Sequence, residues 1–73
     1  MHTKFTIIYE DAPEGGFADY IAEVPGAISE GETLEDAREM VMSALEDVLD
    51  VRRELALSRK AQGVIVESLP ISA

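Results

Sequence analysis

Carboxylates are the only reactive side chains this sequence holds in quantity: fifteen Asp and Glu stand against six Lys and Arg, with one His and no Cys. Asp19 and Glu23 lie four apart in an alternating run, so an extended strand would point both to one side, as a metal-dependent nuclease would need. Four residues of strand span roughly 13 Å, too far for two carboxylates to share an ion unaided. A solvated strand edge is the better account of them. His2 sits at the N-terminus, and Ser29, Ser43, Ser58 and the threonines have no other histidine to activate them. Gly15, Gly16 and Gly31 do not fall at the spacings of a phosphate-binding loop. Two Phe and two Tyr, not interleaved with cations, make no base-stacking platform. The expectation is a protein without catalytic residues, cofactor or metal. A residual nuclease would be revived only by metal-dependent cleavage of an RNA–DNA hybrid that is lost on substituting Asp19 or Glu23.

The acids are unevenly spread. Residues 1–50 hold thirteen acids and two bases, whereas residues 51–73 hold two acids and four bases, within a formal net charge of −9. A surface so negative repels phosphates, which argues against direct nucleic-acid binding, and it attracts a basic protein. The bland alternative is that acidity keeps a small domain soluble. Seventy-three residues allow a single domain, 1–73, and a chain this short buries only about 60% of the surface its unfolded form exposes. Without cysteine, neither a disulfide nor a thiolate metal site can supplement its core. Self-association is the expected supplement, as a homo-oligomer, dimer or tetramer. No apolar run approaches the ~20 residues of a membrane span, and the first residues lack the apolar stretch of a signal peptide. A soluble, cytoplasmic protein without membrane contact is expected.

The elements that must position these groups follow from periodicity. Residues 3–10 alternate as a strand, with Phe5, Ile7 and Tyr9 on one face. Asp11-Ala-Pro-Glu-Gly-Gly16 is a hairpin connection, and residues 17–24 return as a second strand. Phe17, Asp19, Ile21 and Glu23 alternate there with Ala18, Tyr20, Ala22 and Val24, and either set can face inward. Pro25-Gly26 closes the strand, and residues 27–30 form a short third one. Thr33 is a good helix N-cap, with acids at Glu32, Glu35 and Asp36 to meet the positive end of the dipole. From Leu34, apolar residues recur at Ala37, Val41, Ala44, Leu45 and Val48 in the pattern of a helix laid on a sheet, predicted to run to about residue 57. Met40 and Leu49 widen that stripe and are candidates to meet another subunit. Arg52, Arg53, Arg59 and Lys60 suit the helix C-terminus. Val64-Ile-Val-Glu-Ser-Leu69 reads as a last strand, inserted parallel to the first by a right-handed crossover. The expected fold is α+β: a small βββαβ domain, a three-stranded antiparallel meander plus one parallel strand, with a single helix on one face.

These residues also carry a family likeness. Gly15, Gly16 and Phe17, then Pro25 and Gly26, then Gly31, Thr33, Leu34, Glu35 and Ala37 together resemble the pattern of the HicB-like antitoxins, over roughly residues 3–50. In that family a Gly-Gly-aromatic hairpin leads to Pro-Gly and then to Gly-Asp-Thr-Leu-Glu-Glu-Ala at the head of the helix. Ala22, Ala27 and Asp19 depart from it, where Pro, Cys and a small apolar residue are usual. The resemblance implies a partial ribonuclease-H-like domain. It also implies a function: neutralising a small basic RNA-cleaving toxin of the HicA type by covering its surface. Many relatives continue into an operator-binding segment, for which Pro70-Ile-Ser-Ala73 leaves no room here, so direct DNA binding is not expected. The toxin contact is placed on Asp19, Glu23, Glu30 and Glu32. The alternative is an orphan homo-oligomeric interaction or regulatory module without a toxin partner.

Overall fold

The computed structural model describes residues 4–59 and 63–70. Three strands, β1 (Ile7–Asp11), β2 (Phe17–Ile21) and β3 (Ile28–Gly31), precede one long helix, α1 (Leu34–Ser58). The strands form an antiparallel sheet in the order β1-β2-β3, the expected meander with its first two strands shorter than their alternation suggested. The five-residue connection 12–16 closes through Ala12 N–H to Gly16 O (3.1 Å) and Gly15 N–H to Ala12 O (3.0 Å). Gly15 and Gly16 take φ of 101° and 78°, which other residues adopt only at a cost. The second connection is anchored by Ile21 N–H donating to Ala27 O at 2.9 Å, with Gly26 at φ 96°.

Register settles which face of β2 is inward. Ile7, Ile21 and Tyr9, Asp19, Ser29 form rows on the helix side, while Ile8, Tyr20, Ile28 and Glu10, Ala18, Glu30 form rows on the other. The helix covers β3 and β2 and barely reaches β1. Between the layers lies a small core of Ile21, Val24, Ala27 and Val41, ringed by Ile7, Leu45 and Val48.

The helix begins where its cap places it. The Thr33 hydroxyl oxygen accepts from Asp36 N–H at 3.0 Å, with Thr33 itself extended at φ −123°, ψ 166°. Just before the cap, β3 and the helix come so close that a Cβ on Gly31 would lie 2.4 Å from Ala37 N and 2.8 Å from Ala37 Cα. Because both neighbours are backbone, only glycine fits this junction, and the fully buried Ala37 completes it. The far end, at Ser58 against the expected 57, meets expectation in part. The last turn carries no base, Arg59 is the C-cap, and Arg53 pairs instead with Asp50 at 2.9 Å on the exposed surface. Lys60 lies outside the described residues.

A second departure is larger. Residues 64–69 form no strand, so the sheet has three strands and the expected parallel fourth is absent among the described residues. The physical reason is length. Twenty-five helical residues extend about 37 Å, whereas a five-residue strand extends about 17 Å. The helix last touches the sheet end where Val48 packs near Gly26 and the Arg52 guanidinium donates to Pro25 O at 3.4 Å. It then runs on, carrying the chain past the edge that a fourth strand would need to reach. Val66, Leu69 and Pro70 lie instead beside Arg53 and Leu57. No described helix is long and apolar enough to cross a membrane.

Candidate functional site

The four acids selected from the sequence do not form one patch. Asp19 is only 2% exposed, because its strand position points under the helix. There the Ser29 hydroxyl, directly across the β2–β3 pair, donates to its Oδ1 at 2.6 Å. The same hydroxyl lies 3.4 Å from Ala37 O, so one side chain ties strand, strand and helix together at the Gly31 junction. Asp19 Oδ2 is buried without a hydrogen-bond partner. A carboxylate so enclosed organises the interior; it cannot touch a docking protein, and the surface expected there loses that member.

Glu23 lies past the end of β2, exposed, and turned back on the start of the chain. Its Oε1 accepts from Thr6 N–H at 2.7 Å and its Oε2 from the Thr6 hydroxyl at 2.6 Å. The hydroxyl first, and the amide with it, favour the ionised form and hold this carboxyl below its ordinary value of 4.5. Its two oxygens are thus engaged in pinning the first strand to the second. Alternation had put Asp19 and Glu23 on one face as a pair; the strand ends at Ile21, and the two groups part.

Glu30 and Glu32 meet at the opposite end of the sheet. With Glu14 of the hairpin they line an open groove of about 610 Å³ whose floor is Gly15, Gly16, Phe17 and Gly31. Two features bring them together. A Cβ on Gly16 would stand 2.6 Å from Gly31 O, so the missing side chain lets the hairpin tip fold against the end of β3. The Phe17–Gly31 pairing then fixes the register. Glu14 was not singled out from the sequence, although the Pro13–Gly15 turn around it signals an exposed loop tip. The groove presents three carboxylates and an aromatic edge on a floor of glycine backbone. It can receive cationic side chains. No group of three or more His, Cys, Asp or Glu placed to hold a metal ion occurs among the described residues, and His2 lies outside them.

A UPF0150 protein from Synechocystis sp. is 33% identical to this chain over 54 residues, which are 74% of this chain and 75% of that protein. No protein-family profile matches the chain. No solved structure matches it.

Proposed function

The chain belongs to the UPF0150 protein family, and from that premise we propose that it is a non-catalytic, antitoxin-like binding domain. Its ligand on this reading is a small basic RNA-cleaving toxin of the HicA type, held in the cytoplasm with its RNA-binding surface covered. The resemblance of the Gly15-Gly16-Phe17, Pro25-Gly26 and Gly31-to-Ala37 positions to HicB-like antitoxins supports the identity of the partner. The finer description of the scaffold as partially ribonuclease-H-like belongs to the same proposal.

The groove lined by Glu14, Glu30 and Glu32 carries the reading. An RNA-binding surface must be basic, and a concave patch of three uncompensated carboxylates offers it the charge it otherwise finds in phosphates. Such complementarity raises association rates by roughly 10- to 1,000-fold and is weakened by salt. The two acids retained from the sequence reading, Glu30 and Glu32, belong to this surface; Glu23 stands at the far end, occupied with Thr6.

The test is a titration of the wild-type chain and of a Glu14→Lys, Glu30→Lys, Glu32→Lys variant against a HicA-type toxin, read by RNA cleavage and by binding. Wild type should protect the RNA, and the triple variant should leave it exposed to cleavage while keeping its circular dichroism. Equal protection by both would sink the groove; protection by neither would sink the antitoxin reading.

A further inference from the structure

The buried Asp19 carboxylate has no part in the groove and no counter-charge beside it. No protein group donates to its Oδ2, and the one ion pair among the described residues, Arg53 with Asp50, lies on the exposed surface. Above it, the positive end of the helix dipole is already met by Glu35 and Asp36 of the first turn. An enclosed carboxylate with an unpaired oxygen raises the free energy of the folded chain, and an alanine in its place would not.

The layer around Asp19 offers little to offset that cost. From Leu34 to Met40, Ala37 is the one helix residue that is not exposed, so a single methyl group stands between these two turns and the sheet. Ala37 rests on Gly31 through backbone atoms. The Ser29 hydroxyl has one proton, and its 2.6 Å contact gives that proton to Asp19 rather than to Ala37 O at 3.4 Å. The apolar core of Ile21, Val24, Ala27 and Val41 begins only where this stretch ends.

We propose that Leu34 to Met40 form a flap, which opens from β3 while the helix from Val41 onward stays docked, and that Asp19 keeps the closed form only narrowly favoured. Opening lets water reach Oδ2 and gives up the burial of one methyl group. Val41 is the stopping point, because it is the first helix side chain held by the core. The flap governs the groove as well. Glu30 and Glu32 flank Gly31, on which the closed flap rests, so a ligand that needs both acids in place selects the closed form. Opening is a property of this chain alone and is measured without a toxin, so it stands or falls apart from the antitoxin reading.

Amide hydrogen exchange of the full chain, followed residue by residue by NMR, tests it. In wild type the amides of Ala37 to Met40 should exchange at least about tenfold faster than those of Leu45 to Val48, and low urea should hardly alter the faster rates, since local opening exposes little surface. Asp19→Ala should slow exchange at Ala37 to Met40 about tenfold or more, which ordinary fraying of a helix end would not do. Asp19→Asn, which keeps an oxygen for Ser29 to bond, should move the rates the same way. Ser29→Ala leaves both Asp19 oxygens unpaired and should speed exchange about tenfold, yet change it less than about threefold once Asp19 is alanine. Equal protection of the two stretches in wild type overturns the flap. An Asp19→Ala chain that fails to fold, or exchanges as fast as wild type, overturns the role of Asp19, and so does a Ser29→Ala effect that ignores the residue at 19.

Discussion

The two halves of the single helix obey one sequence rule and meet different fates. From Leu34 to Arg52 the apolar stripe rests on β2, β3 and the Pro25–Gly26 turn, and Ala37 and Val41 lose all contact with solvent. From Arg53 to Ser58 the same periodicity continues past the sheet, and every residue is exposed. An isolated helical segment of this length is marginal in water, so the second half is held by continuity with the first. Amphipathicity therefore marks what a helix could bury, and the opposing layer determines what it does bury. The sheet repeats the lesson, with one side carrying the core and the other a row in which Tyr20 and Ile28 stay exposed.

The contrast can be broken at its strongest point first. Val41→Asp puts a charge where no solvent reaches, and we expect a loss of more than about 4 kcal/mol, unfolding a domain this small; a native circular dichroism spectrum would contradict the docking described. Gly31→Ala comes next. Its Cβ would collide with the backbone of Ala37, which cannot step aside without lifting the helix from β3, and chemical denaturation should register a loss of about 1–3 kcal/mol.

Acid titration probes the pinned end of the sheet. Because the folded state depresses the Glu23 carboxyl, its bonds to Thr6 contribute stability that is present above the unfolded value and lost as pH falls through the folded one. Denaturation midpoints of wild type should therefore fall more steeply than those of Glu23→Gln between about pH 5 and pH 3. Parallel curves would dissociate Glu23 from that role. The smallest effect is expected beyond the helix: Ile65→Ser, at a position 91% exposed and unpaired with any strand, should shift stability by less than about 0.5 kcal/mol. A larger loss would mean that residues 64–69 are buried in the protein's working state.

Much of this architecture was legible in the residues themselves. Thr33 announces the helix start because a hydroxyl there satisfies an amide the first turn leaves free, and the observed bond is that bond. Gly15-Gly16 and Pro25-Gly26 announce two reversals because few residues accept their backbone angles, and the meander follows from them. The candidate site was only partly legible. Glu30 and Glu32 stay on the surface, but their companion Glu14 joins them through a contact between Gly16 and Gly31, fifteen positions apart.

What the chain determined alone was local: caps, turns, strand and helix periods, and an excess of acid before residue 50. Tertiary structure decided the rest. Alternation offers two faces of β2 without choosing between them, and the choice sent Asp19 inward because Ser29 and the end of the helix enclose it there. Helical period says nothing of where the supporting sheet stops, so the overhang and the unpaired residues 64–69 emerge only once a helix of about 37 Å is laid on strands less than half as long. Local signals act through neighbours along the chain, whereas burial depends on what arrives from the opposite layer.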